Sequence, residues 1–291
     1  MTISWRNQGA DTYIPAGTAL DVVLAQTSHL AIGAHQDDLE IMAVHGILEC
    51  YRKGRALFSG VVACDGAKSV RTGAFAQLSD EEMRAVRQEE QRAAARLGEY
   101  GAVIQLNHQS ETVKDPLTRA DFIADLSQLF ERVRPQAIYT HSLFDSHVTH
   151  VAVALAVIEA LKELPPARLP SLIVGCEVWQ DLDWLCAEDK IVMDVSAESE
   201  LQAELLRIFR SQIEGGKRYD LAALGRRRAH ATFCQSHQLD RSSGLVYGLD
   251  LRPLVLDPAL LPATYLAQVC ERFRQQATDK ICGLMARPRP G

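Results

Sequence analysis

Apolar runs of strand length alternate along the chain with longer stretches of helical period. HLAIGAH (29–35) is a short apolar run, and IMAVHGILECYRKG (41–54) reads as a helix ended by Gly54. LFSGVVAC (57–64) predicts the next strand. SDEEMRAVRQEEQRAAARLG (79–98) predicts a helix in which Ser79 is the cap, Glu82 completes a capping box and Gly98 ends the run. GAVIQL (101–106), QAIYTH (136–141), SLIVGCEV (171–178) and KIVMDV (190–195) read as further strands. DFIADLSQLFERVRP (121–135) and HVAVALAVIEALKEL (150–164) read as the helices between them, and the pattern is helical again over 197–214, 218–233 and 262–284. Strands separated by helices of ten or more residues imply βαβ units. The expected class is therefore α/β, with a Rossmann-like, mainly parallel sheet flanked by helices. Residues 1–27 read as an N-terminal arm, 28–214 as the α/β core and 215–291 as a C-terminal helical and loop extension of the same single domain, 1–291. The final ARPRPG has no regular pattern.

Composition narrows the class of partner. The chain has 291 residues, of which 47% are hydrophobic, enough for a sizeable core. Its formal net charge is −6, and its longest basic block is Arg226-Arg227-Arg228, which argues against binding a phosphate backbone. That triplet reads as the solvated face of a helix. There is no apolar core of signal-peptide length at the N-terminus and no apolar run of membrane-spanning length, so the expected setting is cytoplasmic. The seven scattered cysteines form no CxxC pair, which argues against both a disulfide framework and a cysteine zinc site.

The candidate chemistry lies in AIGAHQDDLEIMAVHG (31–46) and HSLFDSHVTH (141–150). Each follows a predicted strand. In an open α/β sheet, ligands bind outside the carboxyl ends of the strands, so both clusters are expected at one edge. His35 and Asp38 are three apart, as are His147 and His150 at the start of a predicted helix, where that spacing puts residues on one face. Two histidines and a carboxylate make a metal set with a position left open, the catalytic rather than the structural pattern for zinc. For one such pair, a hydrogen-bonded cap or core histidine is the plainer reading. Two clusters at matched strand ends outweigh it. Spacing alone leaves open which aspartate would be the ligand.

H-Q-D-D-L-E at 35–40 resembles the H-P-D-D-x-E signature of the LmbE/PIG-L family of zinc-dependent N-acetylglucosaminyl deacetylases, and DSHVTH at 145–150 resembles its D-x-H-P-D-H. VVACDG (61–66) falls where that family has its second strand and a T-x-G-E-like turn, and RQEEQRAAARLG (87–98) resembles its R-x-x-E…A…LG helix. The likeness spans about residues 28–195 in order. It implies an LmbE-like fold and one Zn²⁺ per chain, other divalent ions being open, held by His35, Asp38 and His150. It implies Asp37 as general base on the zinc-bound water, and His147 as oxyanion stabiliser, in protonated form, or as acid toward the leaving amine. The implied substrate is a small N-acylated sugar or glycoconjugate, with neither nucleic acid nor membrane as partner and a homo-oligomer left open. Gln36 replaces the family's usual proline, Thr149 the aspartate between the histidines, and Ala67 its sugar-contacting glutamate.

Several residues carry two readings. Arg87 falls at the family position that holds substrate hydroxyls, yet it could equally pair with Glu90 on a solvated helix. His141 reads as a satisfied strand-end histidine or as support for a ligand, and His45 as packing. Trp179 and Trp184 could wall a carbohydrate site or sit at a core edge, and 215–230 could cover the site. Two rival functions are carried forward. One is a non-heme iron oxygenase using His35, Asp37 and His150, expected on a jelly-roll barrel. The other is a catalytically inactive sugar-binding relative.

Overall fold

The computed structural model describes residues 3–54 and 56–285; the ARPRPG tail lies outside the described residues. The strands are β1 (Asp11–Tyr13), β2 (Thr27–Gly33), β3 (Leu57–Cys64), β4 (Ala102–His108), β5 (Ala137–His141), β6 (Leu172–Cys176), β7 (Lys190–Asp194) and β8 (Leu245–Asp250). The helices are α1 (Leu20–Gln26), α2 (Asp38–Met42), α3 (Val44–Cys50), α4 (Asp80–Leu97), α5 (Ser110–Lys114), α6 (Ala120–Arg132), α7 (Val148–Lys162), α8 (Ser199–Arg207), α9 (Arg210–Ile213), α10 (Tyr219–Phe233), α11 (Arg252–Leu256) and α12 (Pro262–Met285).

All eight strands join one sheet in the order β1-β4-β3-β2-β5-β6-β8-β7. The central pairings, β4-β3, β3-β2, β2-β5 and β5-β6, are parallel, and antiparallel pairings occur only toward the two edges. The central strands are buried along almost their whole length, as continuous apolar runs covered on both faces should be. One face packs against α6 and α7 through residues such as Phe122, Leu126, Val153 and Val157. The other packs against α2, α3, α4 and α8 through residues such as Leu39, Ile47, Ala94 and Leu205.

The chain runs from β2 outward to β3 and β4, then returns to lay β5 on the other side of β2. That reversal is a topological switch point, and it opens a crevice at the carboxyl ends of β2 and β5. The sheet is open and helix-covered, not the jelly roll that the oxygenase reading requires.

Three local expectations need correction. The stretch 41–54 is not one helix: α2 ends at Met42 and α3 begins at Val44. The cause is Arg227, whose guanidinium donates to the carbonyls of Glu40 (2.8 Å) and Ile41 (3.2 Å). Those are the carbonyls that a continuous helix would offer to residues 44 and 45, and a side chain inserted into the ladder breaks it. Arg227 is therefore buried rather than on a solvated helix face. Finally, the 215–291 extension contributes more than helix and loop. Its β8 is an inner strand, hydrogen-bonded between β6 and β7. The arm also contributes structure, since β1 pairs with β4.

Candidate active site

β2 delivers the first cluster. Its last residue, Gly33, lies so close to the following turn that an added Cβ would stand 3.0 Å from the Asp38 Cβ, so any other residue would push the turn away by a few tenths of an ångström. The Asp38 carboxylate then works in two directions. Oδ2 accepts the backbone N–H groups of Ala34 (3.0 Å) and His35 (2.6 Å), which fixes the turn. Oδ1 lies 3.5 Å from His150 Nε2. β5 and the first turn of α7 deliver the second cluster, and His35 Nδ1 lies 3.2 Å from His150 Nε2. The sequence-predicted His35, Asp37, Asp38, His147, His150 and Arg87 all line one cavity of about 430 Å³.

His35, Asp38 and His150 each offer a ligand atom, all within 4.8 Å of one another. His35 Nδ1 and His150 Nε2 stand 3.2 Å apart, and the Asp38 carboxylate comes within 3.5 Å of each, through Oδ2 toward His35 and Oδ1 toward His150. A tetrahedral ion with ligand bonds of about 2.0–2.1 Å would separate adjacent ligand atoms by roughly 3.3 Å. The two histidine nitrogens stand near that spacing and the carboxylate has an oxygen facing each of them, so the set suits one small divalent ion. A second combination, His141, Asp145 and His150, is also close enough to hold an ion. Its His141 Nε2 and Asp145 oxygens are already engaged. His141 Nε2 accepts from Ala34 N (2.9 Å), while Asp145 accepts from His147 N (2.8 Å) and Trp179 N (3.1 Å). Asp145 Oδ2 lies 3.3 Å from His150 Nδ1, the ring atom opposite the one facing His35. That is the arrangement by which a carboxylate orients a ligand histidine. The sequence reading did not single out Asp145, although the DSHVTH motif contains it. His141 stacks on His150 with ring centroids 3.9 Å apart.

The electrostatics separate the two adjacent aspartates. Burial pushes the Asp37 carboxyl up to about 6, even with Arg87 beside it. Burial would also raise Asp38, but His150 and His141 beside it hold it well below the usual carboxylate range. Burial, reinforced by His150 and His35, lowers His147 below the usual imidazole range.

Arg87 departs from one of its two readings and lines the cavity. It does not pair with Glu90, whose carboxylate instead accepts from Ser211 N (2.7 Å) and Oγ (2.6 Å). Arg87 is buried and reaches Asp37 Oδ2 at 3.3 Å while donating to the Gln36 carbonyl. His45 is half-buried, with its Nδ1 2.8 Å from the Tyr139 hydroxyl. The two tryptophans part company. Trp179 lines the cavity and meets Tyr219 edge-on at 5.8 Å. Trp184 packs against Phe144 and Phe273 outside it. From the stretch 215–230, Lys217, Tyr219, Ala222, Ala223 and Arg226 form one wall of the cavity.

A family model described as PIG-L, GlcNAc-PI de-N-acetylase, matches residues 30–161. They carry β2 through most of α7, and so both histidine clusters. No curated protein matches the chain. Among solved structures, the N,N'-diacetylchitobiose deacetylase of Pyrococcus horikoshii aligns over 83% of this chain and 89% of its own, at 20% identity and a TM-score of 0.58. The 4-carboxy-2-hydroxymuconate hydratase GalB of Pseudomonas putida aligns over 77% and 95%, at 18% and 0.58. The A40926 pseudoaglycone deacetylase Dbv21 aligns over 77% and 97%, at 17% and 0.54. At these identities the likeness concerns the fold. Since that fold hosts a hydratase as well as deacetylases, the chemistry of this chain has to be argued from its own site. No helix among the described residues is long and apolar enough to cross a membrane.

Proposed function

We propose that this chain is a metal-dependent amide hydrolase that removes an acyl group, acetyl in the simplest case, from the amine of an amino sugar or glycosylated metabolite. The observation that carries the reading is the convergence of one ligand atom each from His35, Asp38 and His150 within 4.8 Å of one another, with Asp37 lining the same cavity. His35, Asp38 and His150 would hold the ion, and two nitrogens with one carboxylate suit zinc. When bound, a divalent ion polarises an amide carbonyl and makes a water nucleophilic near neutral pH.

The remaining work falls to the chain. Asp37, a buried carboxylate whose pKa burial raises to about 6, is suited to take a proton from the attacking water and return it to the departing nitrogen. Arg87 keeps that carboxylate oriented. His147, which lines the same cavity, can donate an N–H toward the carbonyl oxygen as negative charge develops. Trp179 and Tyr219 offer aromatic surface to a sugar ring. Because α10 walls the cavity and β8 completes the sheet, the C-terminal part belongs to one catalytic domain with the core.

The test is elemental analysis of the purified protein coupled to amine release from a panel of N-acylated amino sugars and their glycosides. About one divalent ion per chain with amine release is expected. A protein that binds no metal, or binds it and releases no amine from any member of the panel, would refute the proposal.

A further inference from the structure

The general base sits on an unusual piece of backbone. Asp37 has φ 97° and ψ −28°, a left-handed conformation that residues other than glycine rarely adopt. Such a residue persists only where its surroundings over-determine it. Two side chains of α4, one helical turn apart, provide that constraint. Arg87 donates to the carbonyl of Gln36, and Gln91 Oε1 accepts the N–H of Asp37 at 3.3 Å. The carbonyl of Gln36 and the N–H of Asp37 belong to the same peptide group. α4 therefore grips both polar ends of a single peptide plane, and residues four apart on a helix are the pair that can do this.

The grip is anchored behind Gln91. Its Nε2 donates to Glu40 Oε1 (2.8 Å), which also accepts from the Tyr100 hydroxyl (2.7 Å). Gln36, Glu40 and Gln91 are almost wholly buried. On the other side, the Gln36 side chain donates to the carbonyl of Cys64 and to Gln105 Oε1, both at 3.2 Å. It fits there because Gly66, at φ +68°, has no Cβ, which would stand 2.4 Å from Gln36 Oε1.

We propose that Gln91 is a positioning residue for the reaction: by holding the Gln36–Asp37 peptide plane it aims the Asp37 carboxylate, without touching substrate or metal itself. The inference rests on the amide-hydrolase reading above. A purely structural Gln91 would affect folding and leave the rate of folded enzyme alone. A positioning Gln91 must act on kcat, and only while Asp37 is there to be aimed.

The experiment is a double-mutant cycle in the metal-loaded, full-length enzyme, assayed by amine release from the best member of the panel. Gln91→Met is nearly isosteric and makes neither hydrogen bond. It should keep its metal and its KM while kcat falls about 10- to 100-fold, the scale of a misplaced catalytic group. In the Asp37→Asn background, the same substitution should cost nothing further. If Gln91→Met retains full kcat, or costs the same factor with and without the Asp37 carboxylate, the proposal is overturned. Should Gln91→Met fail to fold, Gln91→Glu decides. It keeps an acceptor facing the Asp37 N–H, so kcat should stay within about threefold of the parent if that contact is what counts. A folded Gln91→Glu enzyme whose kcat falls about 100-fold would overturn the proposal as well. A parent enzyme that cleaves no amide at all overturns this inference together with the reading it rests on. An active parent with an unimpaired Gln91→Met variant overturns this inference alone.

Discussion

Asp37 and Asp38 are adjacent and chemically alike, and the structure gives them opposite surroundings, so replacing each by asparagine should have opposite signatures. Asp37 faces Arg87 at 3.3 to 3.4 Å inside the protein, and Asp38 faces His35 and His150. In Asp37→Asn two stability effects oppose each other. Breaking a buried ion pair costs about 3–5 kcal/mol, but removing a buried carboxylate returns several kcal/mol of desolvation. The asparagine oxygen can still accept from Arg87, so the net change should be within about 2 kcal/mol. The metal should stay. The rate should not, because an amide takes no proton from the attacking water. Loss of a general base costs about 10²–10⁴ in rate, or roughly 3–5.5 kcal/mol of barrier. kcat should fall by that factor with KM little changed. Asp38→Asn should instead release the metal, by more than the roughly 10–100-fold that follows from losing a partner behind a ligand. The assay is zinc by elemental analysis after dialysis, with amine release over a pH series and a thermal melt for each variant. If Asp37→Asn loses zinc while Asp38→Asn keeps it, the two roles are exchanged. If both keep zinc and near-normal activity, the mechanism proposed here is wrong.

Other expectations follow from the same geometry. His35→Ala and His150→Ala should each abolish stoichiometric metal, and full occupancy in either variant would show that the ion is held elsewhere. Asp145→Asn should keep the fold but weaken metal binding about 10–100-fold, because Asp145 orients His150; unchanged affinity by competitive chelator titration would remove it from the site. With Ala67 at the family's sugar-contacting position, free N-acetylglucosamine should turn over weakly and a larger glycoconjugate better; a higher kcat/KM on the monosaccharide would contradict this. Arg227→Met should destabilise the protein by about 1–3 kcal/mol in urea unfolding, since it strips hydrogen bonds from Glu40 O, Ile41 O and Gln202 Oε1. An unchanged midpoint would mean that α2 ends at Met42 for another reason.

The parts legible from sequence were those whose signal is local. Ser79 and Glu82 form the capping box that the sequence predicts, and β3 runs from Leu57 to Cys64 as its apolar run suggests. Both clusters sit at the carboxyl ends of β2 and β5 because strand alternation and the switch-point rule follow from chain order. The parts that were missed depend on partners distant in sequence. The break between α2 and α3 is made by Arg227, 187 residues from Glu40. β8 is a six-residue run, LVYGLD, whose neighbours β6 and β7 were needed to recognise it. Arg87 could not be assigned because its partner was set by the fold of the 35–38 turn, not by its own helix.

Gln36 shows how one departure from the family pattern can be absorbed. A proline before Asp37 would fix its own φ and restrict the residue before it, stiffening the turn through the covalent chain. Glutamine has no such stiffness, yet the turn must still hold Asp37 at φ 97°. Here the stiffness comes from hydrogen bonds: the Gln36 side chain to Cys64 O and Gln105, its carbonyl to Arg87, and the next N–H to Gln91. Each of these contacts is buried, where an unmade hydrogen bond costs about 1–3 kcal/mol, so the network is strongly constrained to stay complete. The turn's geometry therefore depends on α4 and on the Gly66 turn more than a proline turn would. It follows that Gln36→Pro should not simply restore the family pattern. It would remove the side-chain bonds to Cys64 and Gln105 and leave Gln105 Oε1 without that donor. A stability loss of about 1–3 kcal/mol is expected even though the substitution restores the family's usual residue. A Gln36→Pro variant that melts above the parent would show that covalent stiffness outweighs the hydrogen bonds, and that the network around Asp37 matters less than its geometry suggests.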